Sequence, residues 1–234
     1  MFANIFRSIA SIAVCSYLLF LASRGQLDNY IHPRYHLFTV IVALIGLGLL
    51  LLDAALQLRR PPRPAPRHAR PSLISWMVIV VILLGYLLPP QPLSSRASTQ
   101  RNEFVAAEEG THCRHPQPPG ERAMPFLHQW HLAFADCDQP GYFDGTTIDA
   151  IGFVQPAAAG QFRLTRYIIS CCAVDSTPVH FLVQAPLPSR EGSWVHIRGT
   201  LQHVDHANRR DYHITAPTIT AIPAPEEPYE FLSI

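Results

Sequence analysis

No lysine occurs in the 234 residues, so all 18 basic side chains are arginine. Lysine-based catalysis and the Walker-type phosphate loop, which needs a Lys behind its glycines, are thereby excluded. Charge of either sign is scarce, at 15% against about 25% in ordinary soluble domains. The formal net charge of +1 gives no footing for a nucleic-acid partner. Five cysteines in a chain of this length speak against a disulfide-dense scaffold. What is present in excess is proline, 22 residues or nearly twice its usual share of about 5%, together with long uncharged apolar sequence. The length itself fits one or two structural units.

The apolar residues are unevenly placed. Residues 37–58 hold one acid, Asp53, and no base across 22 positions. Residues 73–88 carry no charge at all, and Pro71 and Ser72 extend that run. A helix needs about 20 apolar residues to cross a bilayer, fewer with flanking help. Residues 8–23, behind Arg7 and with Cys15 in the middle, form a weaker third run. It reads as an uncleaved span rather than a signal peptide, because the small-residue context at Ala22-Ser23 is weak. The sequence thus predicts a transmembrane anchor over 1–90, with spans at about 5–23, 37–58 and 72–88. Between the last two spans, RRPPRPAPRHARP carries five arginines, at 59, 60, 63, 67 and 70. Positive residues beside spans stay cytoplasmic, so this multi-pass reading puts the loop and the N-terminus in the cytoplasm and everything beyond Leu88 outside. Asp53 lies near Arg59 and Arg60 and reads as a snorkelling or paired acid.

Beyond Pro89 the texture changes. Residues 91–122 are polar and Pro-rich and read as a linker. Residues 123–135 place Phe126, Leu127, Trp130 and Phe134 at helical spacing for one buried face. The period then becomes two, giving strands at 147–154, 161–170, 179–183, 194–204 and 212–222. In the second, Phe162, Leu164, Arg166 and Ile168 alternate with Arg163, Thr165, Tyr167 and Ile169. Gly152 and Gly199 sit inside the first and fourth strands, where glycine permits tight coiling. The predicted fold over 123–234 is one helix followed by a five-stranded Greek-key barrel of the OB type, with a small sandwich as the alternative. Trp194 is expected to cover the barrel end or to pack on the helix through Trp130 and Phe134.

Several segments are familiar as a set. They are Arg166-Tyr-Ile-Ile-Ser-Cys-Cys-Ala-Val-Asp-Ser-Thr-Pro-Val179, Tyr30-Ile-His-Pro-Arg34, Pro89-Pro-Gln-Pro-Leu-Ser-Ser95, Arg198-Gly-Thr-Leu201 and Pro225-Glu-Glu-Pro-Tyr229. Together they resemble a bacterial permease-subunit family, the YcgQ-type membrane proteins, whose C-terminal half is a domain of unknown function. The resemblance covers most of the chain and is loosest over 96–145. Val174 and Ser176 stand where that family has small Ala residues, and Cys171, Cys172 and Asp175 are retained. The resemblance implies a multi-span permease in the same membrane as partner.

Cys171-Cys172 is the sharpest chemical feature. Successive strand residues face opposite sides, so adjacent thiols serve one site only where the strand ends or bulges. The 173–178 turn allows this. Thiolates suit soft or borderline metals, and Asp175 or a nearby His completes a ligand set for a thiophilic divalent ion such as zinc. A vicinal disulfide and a buried structural pair are the two other readings. A second group comprises His112, Cys113 and His115 with His128, His131 and Cys137. His128 and His131 share a helix face at i,i+3, although a surface histidine cluster explains them as well. Cys113 and Cys137 are alternatively a disulfide. Cys171 or Cys172 with His180 and Asp175 has the residue types of a catalytic triad but no oxyanion-hole turn beside it, so no enzymatic activity and no catalytic residue is expected. The reading is a membrane-anchored accessory subunit of a permease, presenting an extracytoplasmic domain that binds a metal or other small solute. The alternative is a stand-alone envelope metal or thiol sensor.

Overall fold

A computed structural model describes residues 2–59, 73–88, 90–101, 126–137, 139–158, 160–206 and 209–232. The chain divides into two compact units, Met1–Gln91 and Pro92–Ile234.

The first unit contains three helices, α1 (Phe2–Ser23), α2 (His36–Arg59) and α3 (Leu73–Leu87). Gly25, at φ +65°, takes the left-handed conformation that ends α1. Tyr17 and Phe20 of α1 meet Tyr86 of α3 with ring centroids 5.1 and 5.0 Å apart. Against α2, Gly46 comes so close to the Cys15 Sγ that a Cβ there would sit 3.2 Å from it. Among the described residues one helical stretch is long and apolar enough to cross a membrane, Pro33–Leu56, and only 6% of it is buried within the protein. Ser8–Ser23 and Trp76–Leu87 are apolar but shorter. The 15 residues of α3 rise about 22 Å at 1.5 Å each, short of a hydrocarbon core of about 30 Å. The arginine-rich loop beyond Arg59 lies outside the described residues.

The second unit is mainly β. A short helix α4 (Ser95–Ser98) and α5 (Leu127–Asp136) precede six strands: β1 (Thr147–Pro156), β2 (Phe162–Ile169), β3 (Thr177–Val183), β4 (Trp194–His206), β5 (Arg209–Ile222) and β6 (Tyr229–Phe231). The sheet order is β1-β4-β5-β3-β2-β6, and β1 also pairs with β2. The pairings among β1 to β5 therefore return to their starting strand. All are antiparallel except β3–β5, which is parallel at Leu182↔His213 and Val183↔Ile214. Glycine is required where strands approach most closely. A Cβ on Gly152 would lie 2.8 Å from the Thr165 carbonyl oxygen of β2, and one on Gly199 would lie 2.6 Å from Ile214 Cγ2 of β5. The β4–β5 register shifts between Arg198 and Thr200, beside the second of these.

Two apolar clusters fill the unit. In the larger, α5 contributes Leu127, Trp130, Ala133 and Phe134 to the inward residues of the strands. Phe134 stacks on Tyr212 at 4.3 Å and meets Phe143 at 5.3 Å. The smaller cluster joins Phe153, Tyr167, Ile169 and Tyr229, with Leu93, Ala97 and Trp194 against them.

Three expectations change here. The sheet has six strands, because β6 adds in parallel to β2 through Tyr167↔Tyr229 to Ile169↔Phe231. The start of the expected linker is ordered: Leu93 N–H donates to Tyr229 Oη at 2.7 Å, Tyr167 Oη–H to the Ser94 carbonyl at 2.7 Å, and Gln155 Nε2 to the Ser95 carbonyl at 2.9 Å. Residues 93–101 and β6 together cover the outer side of β2, so every β2 residue except Arg163 is buried and its alternation separates two apolar clusters instead of core from solvent. Trp194 accordingly packs on Phe153 at 5.7 Å in the smaller cluster, away from Trp130 and Phe134.

Candidate metal centre

β2 and β3 pair as far as Ile168↔Thr177, and the connection beyond that rung holds the cysteines. Cys172 is extended, at φ −156° and ψ 168°, and the chain then makes one 3-10 turn, Ala173–Asp175. Asp175 organises the connection by accepting three backbone N–H groups. Its Oδ2 receives Cys171 N–H at 2.7 Å, and its Oδ1 receives Ser170 and Cys172 N–H at 3.3 Å each. From the other side Arg101 Nη1 donates to Ser176 Oγ at 2.7 Å, to the Ser176 carbonyl at 2.9 Å and to the Val174 carbonyl at 3.1 Å. The strand ends before the cysteines, so period-two alternation no longer separates their side chains.

Both thiols are free, with Cys171 exposed, Cys172 half-buried and the two sulfurs 3.6 Å apart. The ligand atoms of Cys171, Cys172 and Asp175 lie within 4.8 Å of one another, and this is the one such group among the described residues. The Cys171 thiol is pushed up to about 12, first by its hydrogen bond to Asp175 and then by Cys172. Partial burial pushes the Asp175 carboxyl up, but the hydrogen bonds from the Cys171 thiol and from the backbone N–H groups outweigh it and hold the group below its ordinary value. A thiol so held is a poor nucleophile, because the thiolate is the reactive form. It is a competent ligand once an ion displaces the proton. His180 pairs with Thr165, six residues up β2 from Cys171, or about 20 Å along a strand. The Cys-His-Asp set therefore does not assemble.

Among the described residues the histidine group does not converge either. His128 Nδ1 lies 2.8 Å from Glu230 Oε2, whereas His131 Nε2 lies 3.1 Å from the His180 carbonyl. Cys137 is buried and disulfide-bonded. His112, Cys113 and His115 lie outside the described residues.

Sequence reasoning missed the group around Glu230. This side chain is fully buried, and Oε1 accepts the Leu127 N–H at 2.7 Å while Oε2 accepts that of His128 at 3.0 Å. It therefore caps the start of α5 with a carboxylate, where the helix dipole favours negative charge. Arg166 Nε stands 3.8 Å from Oε1, and its Nη2 donates to the Glu227 carbonyl at 2.7 Å. Burial lowers the Arg166 guanidinium from its ordinary value, and Glu230 works against that shift. The only signal in the sequence was an arginine on a strand whose other residues are mostly apolar.

Residues 136–232, which contain all six strands and the cysteine turn, match the family model described as DUF1980 C-terminal domain. Searches of curated proteins and of solved structures return no match.

Proposed function

We propose that the chain is a membrane-anchored accessory subunit of a permease, whose β-domain takes up a metal ion or another small solute beside a multi-span partner. The observation that carries this reading is the turn that brings Cys171, Cys172 and Asp175 within 4.8 Å at the surface. Adjacent thiols beside a carboxylate form a donor set for a thiophilic divalent ion such as zinc. The apolar, mostly uncovered stretch Pro33–Leu56 supports attachment to a bilayer. In this reading α1 and α3 are shorter companions of that span, giving three in all. The five arginines at 59–70 keep their loop and the N-terminus cytoplasmic and leave the β-domain outside the cell membrane. The circuit of pairings with its single parallel rung between β3 and β5 supports an OB-like five-stranded barrel, to which β6 is an addition. The permease itself is implied by the family resemblance.

Gentle detergent purification of the full chain, with bound elements and copurifying proteins identified together, tests the proposal. A multi-span protein and a thiophilic metal in the same fraction are expected. Metal without any multi-span partner would favour the stand-alone sensor, and neither would overturn both readings. A reporter active only outside the cytoplasm should be active when fused after Ile234 and silent when fused within residues 61–69; the reverse pattern would overturn the orientation.

A further inference from the structure

We infer that the 170–176 turn is a three-donor site for a tetrahedral divalent ion of the zinc class, left open on its fourth side so that a thiolate or imidazole from another molecule completes the coordination and carries the ion away. This rests on reading the turn as a metal site for such an ion, and it adds the tetrahedral geometry, the missing ligand and exchange.

The ion class follows from the sulfur separation. With metal–sulfur bonds of about 2.3 Å, sulfurs 3.6 Å apart subtend about 103° at the ion, close to tetrahedral. A linear dithiolate centre of the Cu(I) kind sets its sulfurs two bond lengths apart, about 4.6 Å at that bond length. Reaching it would mean moving the sulfurs about 1 Å further apart on a turn whose backbone is fixed by hydrogen bonds. Those bonds are numerous and do not involve an ion: three N–H groups converge on Asp175, and Arg101 holds Val174 and Ser176 from the far side. Each Asp175 oxygen has two acceptor sites, and the shared arrangement leaves Oδ2 one in reserve after the Cys171 N–H.

The open side follows from the donor count and the exposure. Structural zinc sites are closed by four protein ligands, and sites that work on something keep a position free. Among the described residues no fourth His, Cys, Asp or Glu joins this group. Cys171 is exposed and Val174, at the tip of the turn, is 85% exposed, so an incoming donor can reach the Cys171 side of the site. Loading releases the two thiol protons. An incoming thiolate or neutral imidazole then forms the fourth metal bond. The two metal–Sγ bonds and the carboxylate bond break in turn as further donors of the acceptor, or water, take their places on the ion, and the cysteines regain protons from water. The ion stays divalent throughout, so no electrons move.

The test uses the reduced full chain in detergent, loaded with Co(II) as a visible probe of zinc geometry, with zinc and with Cu(I) in parallel. Co(II) should give four-coordinate bands with sulfur charge transfer, and a small thiol or imidazole should shift them saturably before the cobalt leaves. Zinc should pass to a thiol-bearing chelator at a rate proportional to the chelator concentration. Bands indifferent to added ligand, with a transfer rate independent of acceptor, would overturn the inference and leave the metal site standing. Binding of Cu(I) without zinc would also overturn it while sparing a thiol site. No binding of any of the three ions would overturn the underlying reading as well. Cys171→Ser with Cys172→Ser should abolish loading; if that variant fails to fold, alkylation of the two thiols in the folded protein must do the same.

Discussion

Replacing Glu230 by Ala should be the most damaging single change outside the apolar core. The side chain is fully buried and accepts the Leu127 and His128 N–H groups at 2.7 and 3.0 Å, with the His128 ring at 2.8 Å and Arg166 Nε at 3.8 Å. Water cannot take its place without opening the seam between α5 and β6. Hydrogen bonds to a charged group contribute roughly 1.5–3 kcal/mol each. Removing one partner of a buried ion pair costs about 3–5 kcal/mol, because the other charge is left uncompensated. Arg166 is that charge, although its Nη2 retains the Glu227 carbonyl, so the expected loss is about 3–5 kcal/mol and not the sum of every contact. In a unit of this size that lowers Tm by on the order of 10 °C. Thermal unfolding followed by tryptophan emission reads it well, since Trp130 lies on α5 and is 1% exposed. Hydrogen exchange should speed up first at Leu127 and His128. Glu227→Gln is the control, because Glu227 is exposed, holds Arg166 through its carbonyl, and otherwise acts on it only through the charge of a solvent-facing carboxylate. A Tm for Glu230→Ala within about a degree of the control, with exchange in α5 unchanged, would refute the account of how the helix is held.

Phe134→Ala, which removes the ring stacked 4.3 Å from Tyr212, should cost roughly 3 kcal/mol in the same assay; an unchanged Tm would mean that α5 does not dock. Gly199→Ala should destabilise by about 1–3 kcal/mol through overpacking, since its Cβ would come within 2.6 Å of Ile214 Cγ2; a neutral result would show that β4 and β5 part freely there. The Cys171 thiol, pushed up to about 12, should alkylate slowly at neutral pH and keep accelerating beyond the point near 8.5 where an ordinary thiol levels off. Asp175→Asn removes the negative charge that favours the protonated thiol, so it should lower that pKa and speed alkylation of Cys171 in mildly alkaline buffer; equal rates, read by mass spectrometry of the modified peptide, would refute the coupling.

Much of this fold is written locally. The five longer strands begin within three residues of where period two begins, and the helix that carries Trp130 and Phe134 follows directly from the spacing of its apolar side chains. The cysteine turn could be located because a strand must end for neighbouring thiols to meet. What escaped were the interactions between distant segments. Three residues of β6 carry too short a pattern to register, and Pro-rich residues 93–101 look like spacer until Tyr167 and Tyr229 are seen to need cover. Tyr167 and Ile169, apolar on the side of β2 opposite Phe162, Leu164 and Ile168, were the available clue. The pairing of His128 with Glu230 rather than His131 joins residues 102 positions apart, which no periodicity records.

That separation bears on the order of events when the chain folds. Helices and hairpins close in microseconds from neighbouring residues, whereas contacts between remote residues wait for loop closure. The two capping N–H groups of α5 wait for a residue about a hundred positions further on, and the outer side of β2 waits for β6, which follows it by 62 positions at Tyr167↔Tyr229. Until Glu230 is in place, the first turn of α5 has no carboxylate to take its N–H groups and Arg166 lacks its buried counter-ion, so during synthesis the start of that helix stays uncapped until the β6 segment has emerged.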